Sequence, residues 1–281
     1  MSATDAPEAV IDEVRVGDLT WRYRELGTGP VVLLLHGWPT SSFLWRDVIK
    51  PIARANRVLA PDLPGFGGSS KPNDASYSFR FFEEAIDGFL AAVDAERVSL
   101  AVHDLGGPIG VHWAIRNRER VDRLALLNTL LYARPSLAVL AFVAGIRLPG
   151  TRHLLTSRRG LDFTMRLGMH RKERLTDEIR EAVREPFTTG DARRALARTG
   201  HGLSPKGFVE IQRALPELTW PVRVVYGERD RILPDVARTM AKVKRDIPHA
   251  EVTALPDCGH FLQEDDPETV GGRLAEFFSP T

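Results

Sequence analysis

Asp104, Asp230 and His260 combine reactive side chains with positions that suggest a use for them. Asp104 lies in the stretch SLAVHDLGGPIG, Ser99 to Gly110, where an apolar run ends in a His-Asp pair and two glycines follow. An apolar strand running into Gly-Gly gives a carboxylate no evident structural task, which makes Asp104 a candidate nucleophile. With a reference pKa of about 3.9 it is ionised at neutral pH and needs no base for its own attack. At a saturated carbon its product is an ester, which water cleaves; a serine would leave an ether, which water does not readily cleave. Asp230 follows the run VRVVYG, and His260 follows AEVTALPDCG. Glu228 shares the loop of Asp230 and competes with it for the role of acid.

Short strand-like runs position these residues. VIDEVRV, a Gly17-Asp18 turn and LTWRYREL alternate apolar and polar residues, the period of an antiparallel hairpin. VVLLLHG, RVLAPD, RVSLAVHD, RLALLNT, VRVVYGERD and AEVTALPD follow, separated mostly by amphipathic stretches of helical length such as Phe79 to Val93 and Pro108 to Asn117. This alternation predicts an α/β fold: a mostly parallel eight-stranded sheet with helices on both faces. Open sheets of this kind gather ligands at the carboxyl ends of their strands, where all three residues fall. The rhythm fails between Asn128 and Pro221, which reads as helices broken at RLPGTR, EPFTTGD and HGLSP. We divide the chain into a core domain, 1–128 and 218–281, and an inserted helical lid, 129–217. The apolar run LAVLAFVAGI, Leu137 to Ile146, reads as a lid helix buried against the core, with Leu140, Phe142 and Ile146 over an apolar pocket.

Composition narrows the partners. The 281 residues carry a net charge of only +1, so no global field draws the chain to nucleic acid or an anionic membrane. The lid is different, with 14 Arg and 2 Lys against 9 acids between Thr129 and Glu217. Most of these cations read as solvated surface. Cys258 is the only cysteine, so neither an internal disulfide nor a cysteine-based zinc cluster can form. The acidic start MSATDAPEAVIDEV lacks the marks of a secretory signal, and the ten-residue run LAVLAFVAGI is too short to cross a bilayer. A cytoplasmic protein is the expectation. GFGGSSKP lacks the Gly-Lys-Ser/Thr ending of a phosphate-binding loop and reads as a tight surface loop.

Four blocks, HGWPTSSFLWRDVI (His36 to Ile49), APDLPGFGGSSKP (Ala60 to Pro72), HDLGGPIG and GHFLQEDDPE (Gly259 to Glu268), resemble those of haloalkane dehalogenases and the related epoxide hydrolases of the α/β-hydrolase fold. They are spread over nearly all of the chain outside the lid. The order nucleophile, acid, histidine is also that of the α/β-hydrolases, and Val102-His103-Asp104-Leu105-Gly106 matches their nucleophile elbow, a sharp strand-to-helix turn. The resemblance implies that His260 takes a proton from water, which attacks the Asp104 ester, while Asp230 orients the imidazole. Some dehalogenases place the acid one strand earlier, at Asn128 here, but Asn carries no charge. The resemblance also assigns the oxyanion donors to the backbone N–H groups of Trp38 and Leu105. Around them His36, Trp38, Leu105, Asn128, Tyr132, Phe142 and Leu262 are the expected substrate pocket.

The substrate-holding side chains depart from the family pattern. Haloalkane dehalogenases typically hold the halide with a Trp after the nucleophile and a second donor; here Leu105 follows Asp104, leaving the indole of Trp38 as candidate. Epoxide hydrolases typically use two lid tyrosines; the lid has only Tyr132, with His153, His170 and His201 as possible substitutes. Fluoroacetate dehalogenases usually place an Arg where Leu105 stands. The resemblance implies a hydrolase acting on a small apolar organic substrate and water, without cofactor or metal; dehalogenation is the leading expectation, vicinal diol formation from an epoxide the second, and a non-catalytic binder of small ligands the third.

Overall fold

The computed structural model describes residues 8–280; the first part of the acidic N-terminal stretch, 1–7, lies outside them. Eight strands form one sheet: β1 (Val10–Val16), β2 (Leu19–Leu26), β3 (Val31–Leu35), β4 (Arg57–Pro61), β5 (Val98–Asp104), β6 (Val121–Thr129), β7 (Val222–Gly227) and β8 (Glu251–Leu255). Their order is β1-β2-β4-β3-β5-β6-β7-β8, with β1, β2 and β4 paired antiparallel and the remaining pairs parallel. The order places β5, which carries Asp104, beside β6, with β7 next in the sheet.

Strand composition explains why the middle of the sheet is covered on both faces. Leu33 and Leu35 of β3 enter one apolar cluster while Val32 and Leu34 enter the other, the two-residue alternation of a strand with no wet side. Helices α2 (Phe79–Ala92), α3 (Gly106–Arg116) and α10 (Val236–Asp246) supply apolar side chains to the first cluster. Helices α1 (Ile49–Ile52) and α12 (Pro267–Phe278), with the short α11 (Leu262–Asp265) before it, supply the second.

Between β6 and β7 the chain forms only helices: α4 (Leu137–Arg147), α5 (Pro149–Leu155), α6 (Arg158–Gly168), α7 (Asp177–Arg184), α8 (Gly190–Thr199) and α9 (Pro205–Ala214), besides short 3-10 turns. Ser136, Ser157, Thr176 and Thr189 cap α4, α6, α7 and α8 by accepting a backbone N–H with their hydroxyls. Helix α9 is tied to the core where His112 of α3 meets Glu83 and Glu210, and Arg116 bridges the same two carboxylates. The expectation that α4 lies buried against the core is corrected: of its eleven residues only Ile146 is buried. Periodicity cannot detect this, because a helix apolar on every side looks the same whether protein or solvent surrounds it.

Candidate active site

Strand β5 ends at Asp104 with φ at +49°, so the chain reverses sharply before α3 begins at Gly106. That conformation is costly for a residue with a side chain, and tertiary contacts hold it. Thr129 donates its hydroxyl to the Asp104 carbonyl at 2.6 Å. A Cβ at Gly106 would run into the carbonyls of Leu35 and His36, so only glycine lets α3 start this close to β3.

The Asp104 side chain is held asymmetrically. Its Oδ1 accepts the backbone N–H of Trp38 at 2.7 Å, and the Leu105 N–H, next in the chain, favours the charged carboxylate. Its Oδ2 lies 3.4 Å from His260 Nε2. Burial by itself would raise the carboxyl pKa; the close imidazolium of His260, with the Leu105 N–H, holds it below the usual value. Asp104 is therefore an anion at neutral pH, with Oδ1 tied to the Trp38 amide and Oδ2 turned to the histidine.

His260 Nδ1 bonds Asp230 Oδ2 at 2.8 Å. Nε2 has no hydrogen-bond partner among the described residues. Burial lowers the imidazole pKa, but Asp230 and Asp104 override it, and the group is pushed up to about 10. The loop bearing His260 is pinned from both sides: its N–H donates to Gly168 at the end of α6 at 2.7 Å, and Asp265 accepts the N–H groups of Gly259, His170 and Arg171. Buried Asp230 accepts the Ile232 and Leu233 N–H groups on Oδ1 and the Asn128 amide on Oδ2 at 2.7 Å. Burial would raise its pKa as well, and His260 with these donors holds it low. Glu228, its competitor, is exposed.

A cavity of about 500 Å³ lies above Asp104, and Trp38, Leu105, Tyr132 and Phe142 line it, as does Leu140. His36, Asn128, Leu262 and Ile146 do not, which corrects those expectations. His36 is buried beneath the turn, accepting the Leu63 N–H and bonding the Gly37 carbonyl. Asn128 is spent on Asp230 and Gly227. Leu262 packs into the cluster on the opposite face of the sheet, and Ile146 into the core. Nearness to a strand end does not tell which way a side chain points. Asn128 proves to be a positioning residue for the acid, a role its amide could have signalled but its competition with Asp230 obscured.

Two donors expected in the pocket are already engaged. The Trp38 indole N–H donates to the Leu196 carbonyl at 3.2 Å, and the Tyr132 hydroxyl donates to Asp246 at 3.0 Å. Burial, then Asp246, raises the Tyr132 pKa, keeping the phenol protonated. Of the three lid histidines, His201 reaches the cavity, while His153 and His170 are exposed elsewhere. His103 bonds the His260 carbonyl at 2.9 Å, and burial drives its pKa down to about 3, so it acts as a neutral prop of the histidine loop.

The profile of the alpha/beta hydrolase fold family matches residues 30–267. A haloalkane dehalogenase of Mesorhizobium japonicum is 29% identical, over 94% of this chain and 90% of that protein. A cis-3-alkyl-4-alkyloxetan-2-one decarboxylase of Shewanella oneidensis is 28% identical, over 92% of this chain and 85% of the relative. Among solved structures, a haloalkane dehalogenase from Bradyrhizobium elkani superposes with a TM-score of 0.86 at 27% identity, covering 96% of this chain and 97% of that one.

Proposed function

The chain belongs to the alpha/beta hydrolase fold family, in the group of haloalkane dehalogenases and epoxide hydrolases, and on that premise we propose that it is a hydrolase of the dehalogenase type working through an ester on Asp104. The observation that carries this reading is the division of labour within one carboxylate: Oδ1 on the Trp38 N–H at 2.7 Å, Oδ2 at 3.4 Å from His260 Nε2, beneath an apolar cavity. Oδ2 attacks a saturated carbon of a small apolar substrate, the carbon–halogen bond breaks, and halide leaves with the bonding pair. Esterification removes one of the two negative charges that hold His260 protonated. The imidazole then sheds its proton to solvent and becomes a base once an ester exists. Nε2 takes a proton from water, the resulting hydroxide adds to the ester carbonyl, and the oxyanion forms on Oδ1, where the Trp38 and Leu105 N–H groups meet it. Collapse breaks the bond from carbon to Oδ2 and returns that proton to the departing alcohol; the new carboxylic acid then gives its own proton to Nε2, which restores the carboxylate and the imidazolium. Residues 129–217 act as the cap that keeps this chemistry under an apolar roof, and we place the protein in the cytoplasm, where its lone buried thiol stays reduced.

Exposing His260→Gln to haloalkanes and epoxides and weighing the intact protein tests this. Without the base the ester accumulates. An added alkyl group with halide released supports dehalogenation. An added whole epoxide shifts the assignment to ring opening, and a folded variant that never gains mass overturns the covalent reading in favour of a ligand binder.

A further inference from the structure

Helix α4 has two apolar sides and only one of them has a protein partner. Ala138, Val139, Phe142 and Val143 line the cavity. Leu137, Ala141 and Ala144 recur at helical spacing on the other side and are exposed, and Leu140 stands at the boundary, exposed but also at the cavity. Leu137 is 84% exposed and Leu140 50%; just beyond the helix Leu148 is 59%, Leu154 60% and Phe163 63%. Five of the eight exposed large apolar side chains among the described residues thus fall between 137 and 163. A helix apolar all round is ordinarily enclosed by protein or lipid, and a clustered exposed patch marks an interaction surface.

The charge around the patch says what kind of surface it meets. Residues 134–168 contain six arginines and a single acid, Asp162, which is paired with Arg184. Arg158 turns to Glu181, while Arg134, Arg147, Arg152, Arg159 and Arg166 form no ion pair among the described residues. The net charge of +1 for the whole chain hides this local excess, because the compensating acids lie elsewhere.

We propose that the surface of α4 to α6 docks on an anionic lipid bilayer, its leucines entering the headgroup layer and its unpaired arginines meeting lipid phosphates. The occupant is a membrane and not a second copy of this chain, since a twofold pairing would set the same arginines against one another. The apolar stretch is too short to span, so it lies in the plane of the interface. Leu140, Phe163 and Arg147 belong both to the cavity lining and to the exposed surface, so the cavity opens within the docked face. An apolar substrate dissolved in the bilayer then reaches Asp104 without crossing water.

Co-sedimentation of the full chain with vesicles of phosphatidylglycerol or of phosphatidylcholine tests the proposal without any turnover, so it fails or succeeds apart from the assignment of the reaction. Binding to phosphatidylglycerol is expected, at least about tenfold weaker binding to phosphatidylcholine, and weakening by salt. Leu137→Ser with Leu148→Ser and Leu154→Ser, none of which lines the cavity, should abolish sedimentation with vesicles and leave activity on a water-soluble substrate unchanged. Arg152→Gln with Arg159→Gln, which empties no apolar contact, should weaken the preference for the anionic lipid. Equal binding to both lipids, or none to either, overturns the proposal. So does a concentration-dependent dimer that the leucine variant dissolves.

Discussion

Two walls enclose the cavity, and they are held by different forces. On the sheet side Asp104, Asp230 and His260 sit at the ends of β5, β7 and β8, each fixed by backbone amides or by Asn128. On the other side, no side-chain hydrogen bond or ion pair among the described residues ties α4 or α5 to the sheet or its covering helices; contacts such as the edge of Phe142 against Trp38, 4.8 Å between centroids, hold them. Ordered polar networks fix geometry to a fraction of an ångström, whereas apolar contact tolerates repacking. Reaction type therefore belongs to the sheet wall and substrate choice to the helical one.

The sharpest break in that comparison is Asp104→Ala. It removes the nucleophile and leaves α4 untouched, so turnover of every substrate should fall by at least about 10⁴-fold. Undiminished specific activity on any of them would mean that the chemistry does not reside on the sheet wall.

His260→Gln comes next, with steady-state turnover lower by about 10² to 10⁴-fold and a signature in stability. The folded-state pKa of His260, about 10, is raised above its ordinary 6.5. Its contribution is therefore complete below 6.5 and disappears as pH rises through about 10. Asp104 and Asp230 are lowered from 3.8, so their share is present above 3.8 and is lost on acidification through their folded-state values. Thermal melts across pH should show an alkaline loss in the wild type that His260→Gln lacks; parallel alkaline limbs would show that the imidazole is not held between charges.

The same division governs what could be read from sequence. The elbow, the alternation of strands and helices around it and the gathering of Asp104, Asp230 and His260 at the strand ends follow from local signals: apolar runs, a Gly-Gly turn and residues just past each run. The helical wall has no such signals. LAVLAFVAGI states that α4 wants an apolar environment, and cannot state that one side faces a cavity and the other solvent. The partner of the Trp38 indole is Leu196, 158 residues away, and no spacing rule reaches that far. His36 and Leu262 stand near the strand ends along the chain, but one turns beneath the loop and the other packs on the opposite face of the sheet.

Asn128→Ala probes how finely the polar wall is set. It deletes the 2.7 Å bond to Asp230 and the one accepted from the Gly227 N–H, at a cost of about 1–3 kcal/mol in stability. Turnover should drop about tenfold, with the ester accumulating because the second step depends on the Asp230–His260 pair. A structural defect alone would slow both steps equally, so single-turnover measurement of ester formation against ester hydrolysis separates the two roles.

The smallest effect is expected where the two walls touch. Trp38 contributes its backbone N–H to Asp104 and its indole N–H to the Leu196 carbonyl of α8. Trp38→Phe keeps the first and an aromatic edge toward Phe142. The Leu196 carbonyl is not orphaned, because the Thr199 hydroxyl still donates to it at 2.7 Å and the Gly200 N–H at 3.4 Å. The loss is then one neutral hydrogen bond, about 0.5–1.5 kcal/mol of stability, and turnover of a haloalkane should stay within about threefold, since the departing halide never met the indole. A collapse of about 100-fold confined to haloalkanes, with epoxide opening intact, would show instead that the indole leaves Leu196 to hold the halide. In that event a donor held by the helical wall would take part in the chemistry, and the separation of the two walls would fail at Trp38.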